Sequence, residues 1–234
     1  MKNYLLIVLA ALCFTSCDSI SGKGNLIKDQ REVTDFKSLK SSGSIDVEII
    51  MGDRFEVVVE DYENLVEYIV TEVRNGTLNV HFENNISIMN SEATVYVTVP
   101  TLNKITGSGS ADISVSGILK HSENIELAVS GSGSIEATVD APSVKATISG
   151  SGEMDLAGNT KEFECRISGS GDLEAEKLLS EKCKVTVSGS GTAKVFASVS
   201  LEANIRGSGD VVYGGNPSSP QVNISGSGTV RAEQ

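Results

Sequence analysis

Ile148-Ser149-Gly150-Ser151-Gly152 decides the reading of this chain, because close copies of it return at near-constant spacing. Gly-Ser-Gly begins at Gly107, Gly131, Gly150, Gly169, Gly189, Gly207 and Gly226, at intervals of 24, 19, 19, 20, 18 and 19 residues. A flexible Gly/Ser linker has no register; a repeat of fixed phase marks stacked structural units. Counted from the first Gly of each copy, position −2 is Ile105, Val129, Ile148, Ile167, Val187, Ile205 and Ile224. Position +4 is Ala111, Ile135, Met154, Leu173, Ala193, Val211 and Val230. Even positions are apolar and odd ones mostly polar, the period of a β-strand with one buried face. Both glycines fall on inward positions, where the missing Cβ lets the chain bend. The expectation is an all-β fold, a right-handed parallel β-solenoid (β-helix) whose rungs stack at about 4.8 Å.

Two columns test that expectation. Position −5 reads Glu126, Lys145, Glu164, Lys184, Glu202 and Gln221. Like charges side by side repel, so alternation is what in-register neighbours should show. Cys165 and Cys183 fall at −4 and −6 of successive rungs, an offset of about 8 Å from strand spacings. That is beyond disulfide reach, so two buried free thiols are expected.

The N-terminal third is less regular. Ser41-Ser42-Gly43 looks like a degenerate copy, with Leu39 at −2 and Ile45 at +4. Phe55 to Glu60, Tyr68 to Val73, Leu78 to Phe82 and Ala93 to Val99 read as strands, with a hairpin turn at Asn75-Gly76. Residues 33–106 are expected to form wider, irregular rungs that cap regular rungs over 107–234; a separate small β-domain is the alternative.

The chain opens with Lys2 and an apolar run from Tyr4 to Leu12, too short to span a bilayer. Residues 1–16 therefore read as a signal peptide. Phe14-Thr15-Ser16-Cys17 resembles a lipobox, which implies lipidation of Cys17 and a lipid anchor in the cell envelope, at the outer membrane, facing the periplasm or the outside. Residues 17–32 read as a lipidated flexible tether, from the Ser/Gly-rich segment at Asp18 to Gly24.

The repeat behind a lipoprotein-like leader resembles a bacterial family, the putative auto-transporter adhesin, head GIN domain. The resemblance runs from Val33 to the C-terminus. It implies a β-helix head and, by name, adhesion, but no functional residues. The translocator barrel of a true autotransporter is missing, so adhesion rests on fold analogy.

The net charge of −12, without a basic cluster, argues against nucleic acid as a partner. His81 and His121 stand apart without His or Cys neighbours, so no zinc-type spacing exists. No Ser can be paired with a His base inside the repeat. One cluster invites a metal. Glu153 with Asp155 and Asp172 with Glu174, flanked by Glu136, would place four carboxylates on a square of about 5 by 7 Å. Such a patch is a candidate Ca²⁺ site, with a solvated acidic face as the plain alternative. The functional expectation is a noncatalytic surface scaffold or adhesin-like module for glycan or protein. Serine ladders such as Ser130, Ser149, Ser168 and Ser188 offer one contact surface. The alternative is an envelope polysaccharide hydrolase or lyase using outward carboxylates. An open last rung should also permit a weak end-to-end homodimer, unless Arg231 and Glu233 blunt it.

Overall fold

The structure, a computed structural model, describes residues 19–233. It is nearly all β, a parallel β-solenoid of about six turns. A rung has two faces. In Ser134–Gly150 the chain runs along one face, turns at Ala141-Pro142 and returns along the other to the glycine corner. Each face is a ladder of parallel strands. On the first, Gly109, Gly131, Gly150, Gly169, Gly189, Gly207 and Gly226 stack one above another. On the second, Ile113, Ile135, Met154, Leu173, Ala193, Val211 and Val230 do so. The core lies between them as continuous columns: Ile148, Ile167, Val187 and Ile205 are each 1% exposed or less.

The first copy of the repeat corrects the expected frame. Gly109, not Gly107, pairs with Gly131, whereas the alignment of Ser41 with Gly107 holds and carries Gly43 onto Gly109. Ile105 therefore lies beside Leu127 instead of Val129. A slip of two residues leaves every side chain on its face, so hydrophobic alternation cannot detect it. What fixes the corner is backbone conformation. Gly43, Gly109 and Gly131 have φ of +98°, +103° and +126°, a region open to glycine, whereas Gly107 does not. In the corrected frame Lys104 joins the charged column. It faces Glu126, and the ladder runs Lys104, Glu126, Lys145, Glu164, Lys184, Glu202, Gln221 in unbroken alternation until the last residue. Ion pairs close at Lys104–Glu126 (3.1 Å) and Lys184–Glu202 (2.9 Å).

Rung length is explained by parity. An odd rung cannot keep a period of two through a whole turn, so inside and outside must exchange once. In the 19-residue rung from Gly131 this happens at the second corner, where buried Ala141 is followed by buried Val144. The 20-residue rung from Gly169 adds a second exchange between buried Ala175 and Leu178, at a β-bulge. The 18-residue rung from Gly189 needs none: Val195, Ala197, Leu201 and Ala203 remain in step.

A second ladder sits just past the glycine corner. Asp112 accepts from the Ser134 amide (3.0 Å) and hydroxyl (2.7 Å), Asp172 from the Thr192 amide (3.0 Å), and Asp210 from the Thr229 amide (2.9 Å) and hydroxyl (2.7 Å). Those bonds hold the Asp210 carboxyl below its ordinary range.

The N-terminal third closes one end of the ladder. Ser38–Gly43 and Asp46–Met51 form the first parallel rung and rest on Thr77–Phe82 and Thr94–Val99. Beyond these, polarity reverses. Ile69–Arg74 folds back antiparallel through Asn75-Gly76, whose φ values of 51° and 72° suit a hairpin turn. On the other face Glu56–Tyr62 and then Leu26–Arg31 add antiparallel strands.

That last strand corrects the tether. Ser19–Ser21 pairs in parallel with Ser87–Met89, and Leu26–Arg31 with Glu56–Tyr62, so much of 17–32 is built into the cap. Its sequence hides this because it buries no face; Leu26 and Ile27 are 45% and 40% exposed. Backbone pairing, the Lys28–Glu60 ion pair (3.3 Å), Lys28 over the Tyr96 ring (4.4 Å) and the Arg31 guanidinium donating to the Val66 carbonyl (2.9 Å) hold it instead.

Candidate functional site

The two corners of a rung differ. The glycine corner is closed to side chains, because a Cβ at Gly150, Gly169 or Gly189 would lie under 3.0 Å from the carbonyl oxygen of the glycine one rung below. The second corner has no such lock. There the parity exchange and varying rung length let side chains splay outward, and they enclose a groove of about 670 Å³. It runs across the rungs and is lined by Lys120, His121, Asp140, Pro142, Asn159, Lys161, Leu179, Glu181, Phe196 and Ser198, among others. Register explains the juxtaposition: Lys120, Asp140, Asn159 and Leu179 are successive members of one column.

Its polar groups are positioned. Lys120 pairs with Asp140 at 3.4 Å. His121 Nδ1 accepts the Glu123 amide at 3.2 Å, which leaves Nε2 as the outward nitrogen. Below them two buried hydroxyls are spent on backbone: Thr160 donates to the Glu162 carbonyl (3.2 Å) and Ser180 to the Phe196 carbonyl. Leu179 stands half exposed above this floor. An apolar side chain ringed by fixed donors, acceptors and opposite charges suits a neutral, hydroxyl-rich or mixed-polarity ligand, and the volume lies within the usual range for ligand sites. Sequence reasoning did not assemble this groove. The signal was present as variation in length between repeats, concentrated at one corner.

A second groove of about 440 Å³ flanks the same corner. Its charges are already paired with each other, as in Lys182–Glu162 (3.2 Å) and Lys184–Glu202.

The acidic patch is brought together in part. Glu136, Asp155 and Glu174 form one column, and Glu153 and Asp172 the next but one position over. Two members are engaged. Glu174 pairs with Lys194 at 2.7 Å, and Asp172 holds the Thr192 amide. Among the described residues no three His, Cys, Asp or Glu side chains converge as metal ligands. His81 lies in the cap, with Nδ1 2.7 Å from its neighbour's carbonyl, apart from His121. The serine ladder is real: Ser108, Ser130, Ser149, Ser168 and Ser188 stack, and Arg206 interrupts it. Cys165 and Cys183 are free and buried, as expected. Burial raises both thiols, Cys183 to about 12 and Cys165 further. Cys17 and the leader lie outside the described residues.

The family model of the putative auto-transporter adhesin, head GIN domain matches residues 35–217. The chain belongs to this family. Its fold is shared with a putative adhesin from Bacteroides fragilis, 22% identical, with a TM-score of 0.87 over 92% of this chain and 100% of that one. A putative lipid binding protein from Parabacteroides distasonis is 25% identical, with a TM-score of 0.79 over 93% of this chain and 100% of that one. A putative adhesin from the same species is 26% identical, with a TM-score of 0.75 over 92% and 100%. No curated protein matches the chain. The second-corner groove lies wholly within the matched span, and the last strands, Gln221–Gly226 and Thr229–Ala232, lie beyond it. No helix among the described residues is long and apolar enough to cross a membrane.

Proposed function

We propose that this head GIN domain is a noncatalytic, adhesin-like binding module, held at the cell envelope by a lipid on Cys17, that takes a glycan chain along its second-corner groove. The observation that supports this is the mixed lining of the groove: half-exposed Leu179 and partly buried Phe196 beside Asn159, His121, Lys161 and paired Lys120 and Asp140. Carbohydrate presents apolar faces and hydroxyl edges together, and rungs spaced at about 4.8 Å repeat that mixture along an extended polymer. The lipid binding named for the Parabacteroides neighbour is the competing reading. The interior favours glycan over it, because the columns fill the space between the faces with side chains at or near 0% exposure, leaving an acyl chain only the outer groove.

The test is a glycan array with the native chain and with Leu179→Glu, Asn159→Ala and, as a control on the first face, Lys145→Gln. Binding that falls at least tenfold in the two groove variants and holds in the control supports the proposal. Equal binding by all four overturns the site. Release of reducing sugar from a bound polysaccharide overturns the noncatalytic reading, and binding to neutral lipid vesicles that Leu179→Glu abolishes assigns the groove to lipid.

A further inference from the structure

The two ends of the solenoid are not alike. At the N-terminal end the parallel ladders are closed by antiparallel strands whose exposed rows carry charge: Glu72 and Arg74 on Ile69–Arg74, and Lys28, Asp29 and Arg31 on Leu26–Arg31. Charged edges resist pairing with another chain. At the other end the last strands, Gln221–Gly226 and Thr229–Ala232, pair only inward, with Ser200–Gly207 and Asp210–Gly214, among the described residues. Thr229–Ala232 is guarded by Arg231 and adjoining Glu233. Gln221-Val222-Asn223-Ile224-Ser225-Gly226 is not. It holds no charge, and the column that alternates through six rungs ends there in neutral Gln221. Val222 and Ile224 extend the buried columns of Ala203 and Ile205, yet they are 43% and 44% exposed.

We propose that a second copy of this chain docks on Gln221–Gly226, antiparallel across a two-fold axis through Asn223. The strand is self-complementary in that register. Val222 of each copy falls opposite Ile224 of the other, so both apolar columns continue through the interface, and Gln221 falls opposite Ser225, so no charges meet. Because the far end is capped and charged, open end meets only open end. The product is a closed dimer and not a filament. Each chain enters its fold at the capped end, where Ser19–Ser21 and Leu26–Arg31 sit, so the two entry points face away from each other. On the envelope-anchored reading above, on which this last step rests, such a dimer joins heads reaching from facing surfaces.

Light scattering of the full chain in detergent, with the detergent mass subtracted, tests the contact for the native protein, Asn223→Lys and Asn204→Lys. Asn204 occupies the same outward column one rung inside, and its amide side chain meets that of Asn223 at 3.1 Å. The two variants therefore add the same charge on the same face, and circular dichroism confirms that both are folded. The expected result is a dimer fraction that rises with concentration in the native chain and Asn204→Lys, with at least a tenfold weaker association in Asn223→Lys. A native chain that stays monomeric, or an Asn223→Lys chain that dimerises like the native one, overturns the contact. Loss of dimer in both variants also overturns it, by moving the interface to the outer face. Beads carrying the chain through its N-terminus should cluster with the native sequence and not with Asn223→Lys. Dimers in solution without bead clustering would retain the contact and overturn its role between surfaces.

Discussion

Three glycines separate the two reasons for glycine at the corner. Gly43 has φ of +98° and nothing within 4 Å of an added Cβ, so Gly43→Ala meets conformational cost alone. Gly152 lacks a positive φ, but its Cβ would press on the Gly133 carbonyl oxygen and on Val129, so Gly152→Ala meets crowding alone. Gly169 has both: φ of +123°, and the Gly150 carbonyl oxygen in the way of a Cβ. Holding a non-glycine residue in that backbone region costs about 1–3 kcal/mol. Overpacking against a neighbour that cannot rotate away costs about 1–3 kcal/mol, and a carbonyl in a ladder is such a neighbour. The expected losses are therefore about 1–3 kcal/mol for Gly43→Ala and for Gly152→Ala, and about 2–6 kcal/mol for Gly169→Ala. Urea melts followed by circular dichroism measure them, read from midpoints at unchanged slope. A Gly169→Ala midpoint no lower than that of Gly43→Ala would refute the reasoning, since it would mean that no rung presses on the corner from below.

Two further outcomes follow from the columns. Iodoacetamide at pH 8 with peptide mapping should leave Cys165 and Cys183 unmodified until urea unfolds the chain. Because burial raises both thiols from about 9 in the unfolded chain, with Cys183 reaching about 12, their contribution to stability is complete below pH 9 and is lost as pH rises toward 12; thermal melts from pH 8 to 11 should show the decline. Lys184→Glu would set three carboxylates in a row with Glu164 and Glu202, and should cost about 0.5–1 kcal/mol in low salt and less in 1 M NaCl, where screening shortens to about 3 Å; an equal loss at both salt concentrations would count against the charged column.

The sequence yielded the periodic part of the molecule and little else. Columns such as Ile148, Ile167 and Val187 were legible because each rung repeats the same burial problem, and Lys145 beside Glu164 because neighbours in register must avoid like charge. The frame of the first copy was not legible, since Gly107 and Gly109 share a face and only backbone φ tells them apart. Leu26–Arg31 was missed for a related reason: a strand held by its backbone and by Lys28 and Arg31 leaves no alternation to read. The carboxylates were placed correctly in neighbouring columns, but the sequence could not show that Asp172 is already used by Thr192 and Glu174 by Lys194.

The same constraints say where a solenoid of this kind is free to acquire a site. Both faces are bound by register, so a change in one outward residue is answered by its neighbours above and below, as in the alternating column. At the glycine corner a Cβ on Gly150, Gly169 or Gly189 meets the carbonyl of the rung below. Only the second corner tolerates rungs of 18, 19 and 20 residues, because parity is settled there by an exchange, by an exchange beside a bulge, or by none. Each solution turns different side chains outward, and His121, Asn159, Leu179 and Ser198 come from four different rungs. On the proposed reading, a ligand that bridges those rungs would meet side chains that lie outside the buried columns, such as half-exposed Leu179. Substitutions at half-exposed Leu179 should therefore cost the ladder less than substitutions at Gly169 or Ile167.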